Sequence, residues 1–311
     1  MCYSARIRQE WKTFCARMGV KIALAEYVEL FWERNEGRKR PLPKTMEAMF
    51  SDPRSEEERQ AWDAIVAYKA TRTRDIEQEL FDLRRRVADA ERKLAGRPTK
   101  SAEDSRRIAL SKIEQRLRWL SDLRRDAPTE PQDARIYPGW YVPVMVMEDG
   151  QRVLKPMRYQ CRPAGKPAFY DTKYPGTYNA RRDSLEGFWK GQFGVHHGVM
   201  VASAFYENVQ RDGKSVVLEF QPQGLGDMLV ACLWSAWTSP TGDPAEPPLL
   251  SFAVITDDPP PEIAAAGHDR CVIPLKEEHL DAWLDPKGDV AAMQAILDDR
   301  ERPYYEHREA A

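Results

Sequence analysis

Two long, highly charged runs on either side of Gly96-Arg97-Pro98 constrain the fold of this chain more than any other feature. In the first, Ile65, Val66, Ile76, Leu80, Leu83 and Val87 recur at the 3.6-residue period of a helix. Ser55 with Glu58, just after Pro53, reads as a capping box that starts this helix. The second run begins near Ser101, carries Ile108, Leu110, Ile113, Leu117 and Leu120, and stops before Pro128. A Gly-Pro turn this short folds the second helix back on the first. The pair is expected to form a long, coiled-coil-like αα-hairpin over about 55–127. Its arginines (Arg84, Arg85, Arg86, Arg106, Arg107, Arg124, Arg125) are interleaved with Asp and Glu, which reads as a solvated face. A more apolar helical stretch from about Val20 to Glu33 is expected to pack on a core.

Near residue 133 the texture changes. Short apolar runs follow at Tyr141–Met147, Val199–Phe205, Ser215–Phe220, Leu229–Trp237 and Leu249–Thr256. Turns are signalled by Asp149-Gly150, Asp212-Gly213 and Thr241-Gly242-Asp243. Short helices are expected at Ser184–Trp189, Glu277–Leu284 and Val290–Asp298, and a loose tail from Tyr304. The pattern predicts an α+β fold: an antiparallel, barrel-like β core with surrounding helices, into which the hairpin is inserted.

The 311 residues, 42% hydrophobic, suffice for a substantial core. Net charge is −2, so nucleic acid can be bound only through a local patch. No apolar run is long enough to span a bilayer and no secretory leader pattern opens the chain. The cysteines (Cys2, Cys15, Cys161, Cys232, Cys271) are odd in number and scattered, which suits a reducing cytoplasm and argues against a disulfide framework or zinc finger. His196 and His197 are neighbours on an expected strand, point to opposite faces and cannot share an ion, so neither metal nor other cofactor is expected. A cytoplasmic protein, nucleoid-associated when bound to DNA, is the expectation.

Cys2 is chemically unusual. Removal of Met1 would leave an α-amine and a thiol on adjacent carbons, with reference pKa values near ~8 and ~8.5. An aldehyde meeting that pair forms a Schiff base with the amine, and closure of the thiol on the imine carbon gives a thiazolidine. Covalent catalysis of this kind needs partner groups. Three segments offer them: Tyr178-Asn179-Ala180-Arg181, Ala204-Phe205-Tyr206-Glu207-Asn208, and Phe252–Thr256 followed by His268-Asp269-Arg270.

With Cys2, these segments resemble the SRAP proteins, the SOS response-associated peptidases or abasic-site processing proteins. That family shows Met-Cys-Gly-Arg, then Asn-Ala-Arg-x-Glu, a strand ending Gly-Trp-Phe/Tyr-Glu-Trp, a Thr-bearing strand, and His-x-Arg-Met-Pro. Cys2, Asn179 with Arg181, Glu207 and His268 match in family order, and Ile136-Tyr137-Pro138-Gly139 is similar to the family's Asn-x-Ala-Pro-Gly loop. The chain departs at Tyr3-Ser4 (with Arg6 the nearest arginine), Asp183, Asn208 and Cys271-Val272. The resemblance implies a discontinuous catalytic domain of residues 1–12 and 134–311, with 13–133 as a helical insertion.

It further implies covalent recognition of abasic sites in single-stranded DNA, protecting the lesion, with autoprocessing of Met1 and lyase-like chemistry. Cys2 would be the nucleophile, Glu207 an acid/base on the sugar, His268 a proton donor, and Asn179 a holder of amine or sugar. Arg181 would grip a phosphate. Between 151 and 195, nine Lys/Arg stand against three Asp/Glu, with aromatics interleaved. Arg158, Arg162, Tyr170, Lys173, Arg181, Arg182 and Arg270 are therefore the expected DNA contacts. An N-terminal-nucleophile peptidase or amidohydrolase shares the same residues. A non-catalytic DNA-binding or interaction protein, its hairpin recruiting a protein partner, is the third alternative.

Overall fold

The computed structural model describes residues 4–8, 10–211 and 213–310. Met1, Cys2 and Tyr3 lie outside the described residues, and with them the expected nucleophile. The chain opens with β1 (Ser4–Ile7), α1 (Trp11–Met18), β2 (Val20–Ile22), α2 (Leu24–Asn35) and α3 (Lys44–Ala48). The hairpin helices α4 (Glu56–Gly96) and α5 (Lys100–Arg124) follow. Next come β3 (Arg135–Ile136), β4 (Tyr141–Glu148), β5 (Gln151–Tyr159), α6 (Tyr170–Lys173) and β6 (Asn179–Arg181). The second half runs β7 (His197–Arg211), β8 (Lys214–Pro222), β9 (Met228–Trp237), β10 (Leu249–Asp257), α7 (Pro261–Ala265), β11 (Cys271–Val272) and β12 (Pro274–Leu275). It closes with α8 (Leu280–Leu284), α9 (Val290–Asp298) and β13 (Tyr305–Glu309).

The fold is α+β, as expected. β7 pairs with β9, β9 with β10, β10 with β5, β5 with β4, and β4 with β7, so these strands close a ring. It is not a regular barrel: β10 runs parallel to both β5 and β6, and β2 runs parallel to β5. The ring is tight where β7 crosses β4. A Cβ on Gly198 would come within 2.9 Å of Val144 Cγ1, so only glycine fits there. Large side chains such as Phe205, Phe220, Phe252 and Trp237 fill the core.

The hairpin starts as the sequence predicts. Ser55 Oγ accepts the Glu58 amide at 3.1 Å, and Thr99, ahead of the expected start, caps α5 through the Ala102 amide at 3.2 Å. Such caps stabilise a helix by about 1 kcal/mol each. The main core continues from the strands through α1, α2 and the base of α4, including Trp11, Phe14, Tyr27, Phe31 and Ile65. Beyond that the hairpin carries its own small cluster of Ile76, Leu80 and Leu120.

Three expectations change. Val20–Ile22, read as the start of a helix, is a strand, because its β-branched residues take an edge of β5. The tail after Tyr304 is not loose: Tyr305 packs edge-on against Phe205 with centroids 5.4 Å apart, and β13 pairs with β8. Ser184–Trp189 forms only a 3₁₀ turn at its start, followed by further turns.

Candidate active site

β7 is the element that builds the site. β1 lies antiparallel on it with Ser4 opposite Tyr206 and Ala5 opposite Phe205. Ser4 therefore lies beside the residue before Glu207. Glu207 is 1% exposed. Burial raises its pKa above the ordinary carboxylate value, and the hydrogen bond from His268 only partly offsets this.

His268 reaches Glu207 from the loop after α7. Gly267, at φ +98°, makes the turn that L side chains rarely adopt and lies against Val209 of β7. The next residue then points its imidazole at the strand. His268 Nε2 lies 3.0 Å from Glu207 Oε2, and Nδ1 lies 3.0 Å from the Arg270 carbonyl oxygen. A carbonyl can only accept, so Nδ1 carries a proton and donates it. Nε2 and the carboxylate then share one mobile proton, either as neutral acid and imidazole or as carboxylate and imidazolium. That is the equipment of a proton shuttle.

Asn179 stands on β6, in parallel register with Val254 of β10. It is buried, and neither its Oδ1 nor its Nδ2 has a hydrogen-bond partner among the described residues. Two residues along β10, the buried Thr256 hydroxyl is in the same condition. Buried polar groups are nearly always satisfied, so unfilled side chains on two neighbouring strands have the character of a ligand site. Arg270, two residues after His268, is held in its charged form first by the hydrogen bond to Asp269, and the nearby Glu207 carboxylate adds to this. Its guanidinium is bound through Nε and Nη2 to the Asp269 carboxylate at 3.0 and 2.9 Å. That contact, ahead of the cost of burial, depresses Asp269 to about 2.

The expected phosphate ligands divide. Arg158 and Arg162 both converge on Asp171, at 2.7 and 2.5 Å, and Arg162 also lies over the Trp237 ring. Burial alone would raise the Asp171 carboxyl, but these two cations more than offset it and hold it low. Arg182 bonds Asp257 and Asp298, tying the turn after β6 to β10 and α9. Arg152 and Lys155, counted in the same basic stretch, meet Asp281, Glu26 and Glu148. Carboxylates from outside the stretch thus pair with Arg152, Lys155 and Arg182, and Asp171 within it takes both Arg158 and Arg162. Arg181 faces the exposed Asp183 at 3.2 Å. Lys173 is exposed, and Tyr170 joins Tyr174 and Phe188 in an aromatic cluster with Phe169 exposed nearby. Tyr159 and Tyr178 are core residues.

Two residues escaped the sequence reading. Arg6 does not face the site, because it bonds Glu219 at 2.7 Å and Ser203 at 3.0 Å. Arg135 stands beside Ser4. Its guanidinium bonds Ser4 Oγ at 3.2 Å and lies 3.9 Å from the Tyr206 ring centre. The signal was its place directly before the Ile136-Tyr137-Pro138-Gly139 loop. Thr256 lay in a quoted strand, but its buried hydroxyl is visible only in the fold. His196 and His197 do not converge: His197 Nε2 accepts the Gly194 amide at 2.8 Å, while His196 packs on Trp234. Among the described residues, Glu278, His279 and Asp299 lie close enough for a cation, but Lys276 already bonds Asp299 at 2.5 Å.

The model of the SOS response associated peptidase (SRAP) family matches residues 101–309, well over half of the chain. The chain belongs to that family. The match covers Asn179, Glu207 and His268 and associates this SRAP protein with the SOS response and with peptidase-like and DNA-processing activity. Among solved structures, a protein from Bordetella bronchiseptica is 19% identical, with 57% of this chain and 87% of that one aligned at a TM-score of 0.47. A protein from Bacteroides thetaiotaomicron is 14% identical, covering 57% and 78%, TM-score 0.48. A phage-related protein from Bordetella bronchiseptica is 21% identical, covering 57% and 81%, TM-score 0.43. No curated protein matches. No helix among the described residues is long and apolar enough to cross a membrane.

Proposed function

We propose that this protein forms a covalent crosslink to abasic sites in single-stranded DNA through Cys2, within a discontinuous domain of residues 1–12 and 134–311. The observation that carries the reading is the buried Glu207–His268 contact at 3.0 Å, one residue from the position that pairs with Ser4. The other cysteines support the assignment. All four are buried, and burial pushes Cys15 to about 11 and Cys161 and Cys271 to about 12, with Cys232 higher still. None of them offers a thiolate near neutral pH.

The chemistry follows from the groups present. Loss of Met1 frees the Cys2 amine. An abasic deoxyribose equilibrates with its ring-opened aldehyde, and protonated Glu207 is suited to assist that opening at the ring oxygen. The amine adds to the aldehyde carbon, and loss of one water gives the imine. The Cys2 thiol then adds to the imine carbon while the nitrogen takes up the thiol proton, closing the thiazolidine. The net change is aldehyde plus aminothiol to thiazolidine plus water. His268 relays protons through Glu207. Asn179 holds the amine or the sugar with its unfilled amide. Arg135, Arg181 and Arg270 contact phosphates, while Tyr170 and Lys173 stack and pair along the strand. Arg158, Arg162 and Arg182 serve by bracing this surface.

Incubation of the purified protein with an abasic oligonucleotide, followed by a denaturing gel, tests the reading. Wild type should run as a stable adduct and Cys2→Ala should not. Cys2→Ser should form only an imine that needs borohydride to be trapped. An adduct formed equally well by Cys2→Ala would remove Cys2 from the mechanism. Absence of any wild-type adduct would favour the peptidase alternative.

A further inference from the structure

A second recognition feature lies where the hairpin meets the β domain. A cleft of about 1060 Å³ opens between the bases of α4 and α5, α3, and the loop between β3 and β4. Small-molecule sites occupy about 300–1,000 Å³, so this space suits an extended polymer better than one small ligand. Its deep cations are already neutralised: Arg34 and Lys69 by Glu47, and Lys44 and Arg125 by Asp122 and Asp133. The outer wall differs. Arg118 is exposed and has no carboxylate within ion-pair distance among the described residues. Arg72 meets Asp75 and Glu79 only at 3.9 and 3.6 Å. Beside them Trp119 is 41% exposed, with Arg116 lying 4.3 Å from its ring centre.

Guanidinium and aromatic groups continue from the cleft toward Ser4 of β1. Arg135, bonded to Ser4 and set against Tyr206, lies 5.3 Å from the Tyr137 ring centre. Tyr137 meets Trp140 edge-on with centroids 5.5 Å apart, and both line the cleft. Guanidinium and aromatic groups thus alternate from Tyr206, opposite Ser4, to the wall formed by α5. Bases stack on aromatic faces and phosphates pair with guanidinium groups, so this surface is chemically matched to a single strand.

The geometry points to the cleft as a binding track for single-stranded DNA flanking the lesion, with Trp119 stacking a base and Arg118 pairing a phosphate. The inference rests on the reading above and extends it to the inserted hairpin. The experiment is fluorescence anisotropy of the full chain with a labelled, undamaged oligothymidine of about 15 nucleotides. Trp119→Ala should weaken binding about tenfold, whereas Trp119→Tyr, which keeps a stacking face, should stay within about threefold. Arg118→Glu should weaken binding and lower the slope of log affinity against log salt by about 0.7. At saturating abasic oligonucleotide each variant should reach the wild-type adduct yield, because neither residue touches the reacting atoms. Unchanged affinity in both Trp119→Ala and Arg118→Glu overturns the inference while leaving the crosslink intact. If wild type forms no adduct, the crosslinking reading falls instead, and the affinity series still decides the cleft.

Discussion

Acidification should weaken this fold through one residue, His197. It begins β7, the strand that carries Glu207 ten positions later, and is 1% exposed. Burial drives its pKa from 6.5 to about 3, only partly opposed by a backbone hydrogen bond. It packs on Phe193 and Trp283 and accepts the Gly194 amide through Nε2, a hydrogen bond that only the unprotonated nitrogen can accept. A histidine with a depressed native pKa binds its proton more weakly folded than unfolded. Its penalty is absent above about pH 6.5, grows as pH falls, and levels off below about pH 3. One proton taken up on unfolding gives a slope of about 1.4 kcal/mol per pH unit. Between pH 7 and 5 this one residue should cost about 2 kcal/mol, a sizeable part of the ~5–15 kcal/mol typical of folded proteins. Urea unfolding of wild type and His197→Gln at both pH values isolates the effect, since every other titration cancels in the difference. The variant starts less stable but should lose about 2 kcal/mol less on acidification. Equal losses in both proteins, within about 0.5 kcal/mol, would mean that His197 is not held neutral by burial.

Glu207→Gln should slow adduct formation by about 10²–10⁴-fold, the usual worth of a positioned acid or base, as measured by quenched time points on a denaturing gel. The raised pKa of Glu207 keeps it protonated to higher pH than an ordinary carboxylate, and its acid function is lost as pH rises through that value. The wild-type rate profile should therefore contain a falling limb that the Gln variant lacks. Replacing residues 84–112 by a short Gly-Ser linker should leave both melting temperature and adduct yield near wild type. The cut keeps the Ile76–Leu80–Leu120 cluster and the cleft walls, and lost crosslinking would give the outer hairpin a role in the chemistry.

Much of this was legible in the sequence because the signals were local. The Ser55 cap, the Gly96-Arg97-Pro98 break and the alternating apolar runs each act within a few residues, and α4, α5, β4 and β7–β10 appear where those signals lie. What escaped depended on distant partners. β2 and β13 are short and weakly patterned, and become strands only because β5 and β8 offer edges to them. The ion pairs of Arg152, Lys155 and Arg182 were not legible because their carboxylates, Asp281, Glu26, Asp257 and Asp298, lie far away in the chain. For the site, residue order suggested the grouping of Glu207 with His268, and their separation of 3.0 Å is seen only in three dimensions. Arg6 was the nearest arginine in sequence, yet Glu219 draws it away, and Arg135 stands beside Ser4 in its place.

Intact mass spectrometry of the purified protein, with and without an abasic single strand, addresses the central claim most directly. The free protein should weigh one methionine less than the encoded chain. The treated protein should add the mass of the oligonucleotide minus one water, and Cys2→Ala should add nothing. Retention of Met1 together with an unchanged mass after treatment would contradict covalent capture by the chain's leading cysteine.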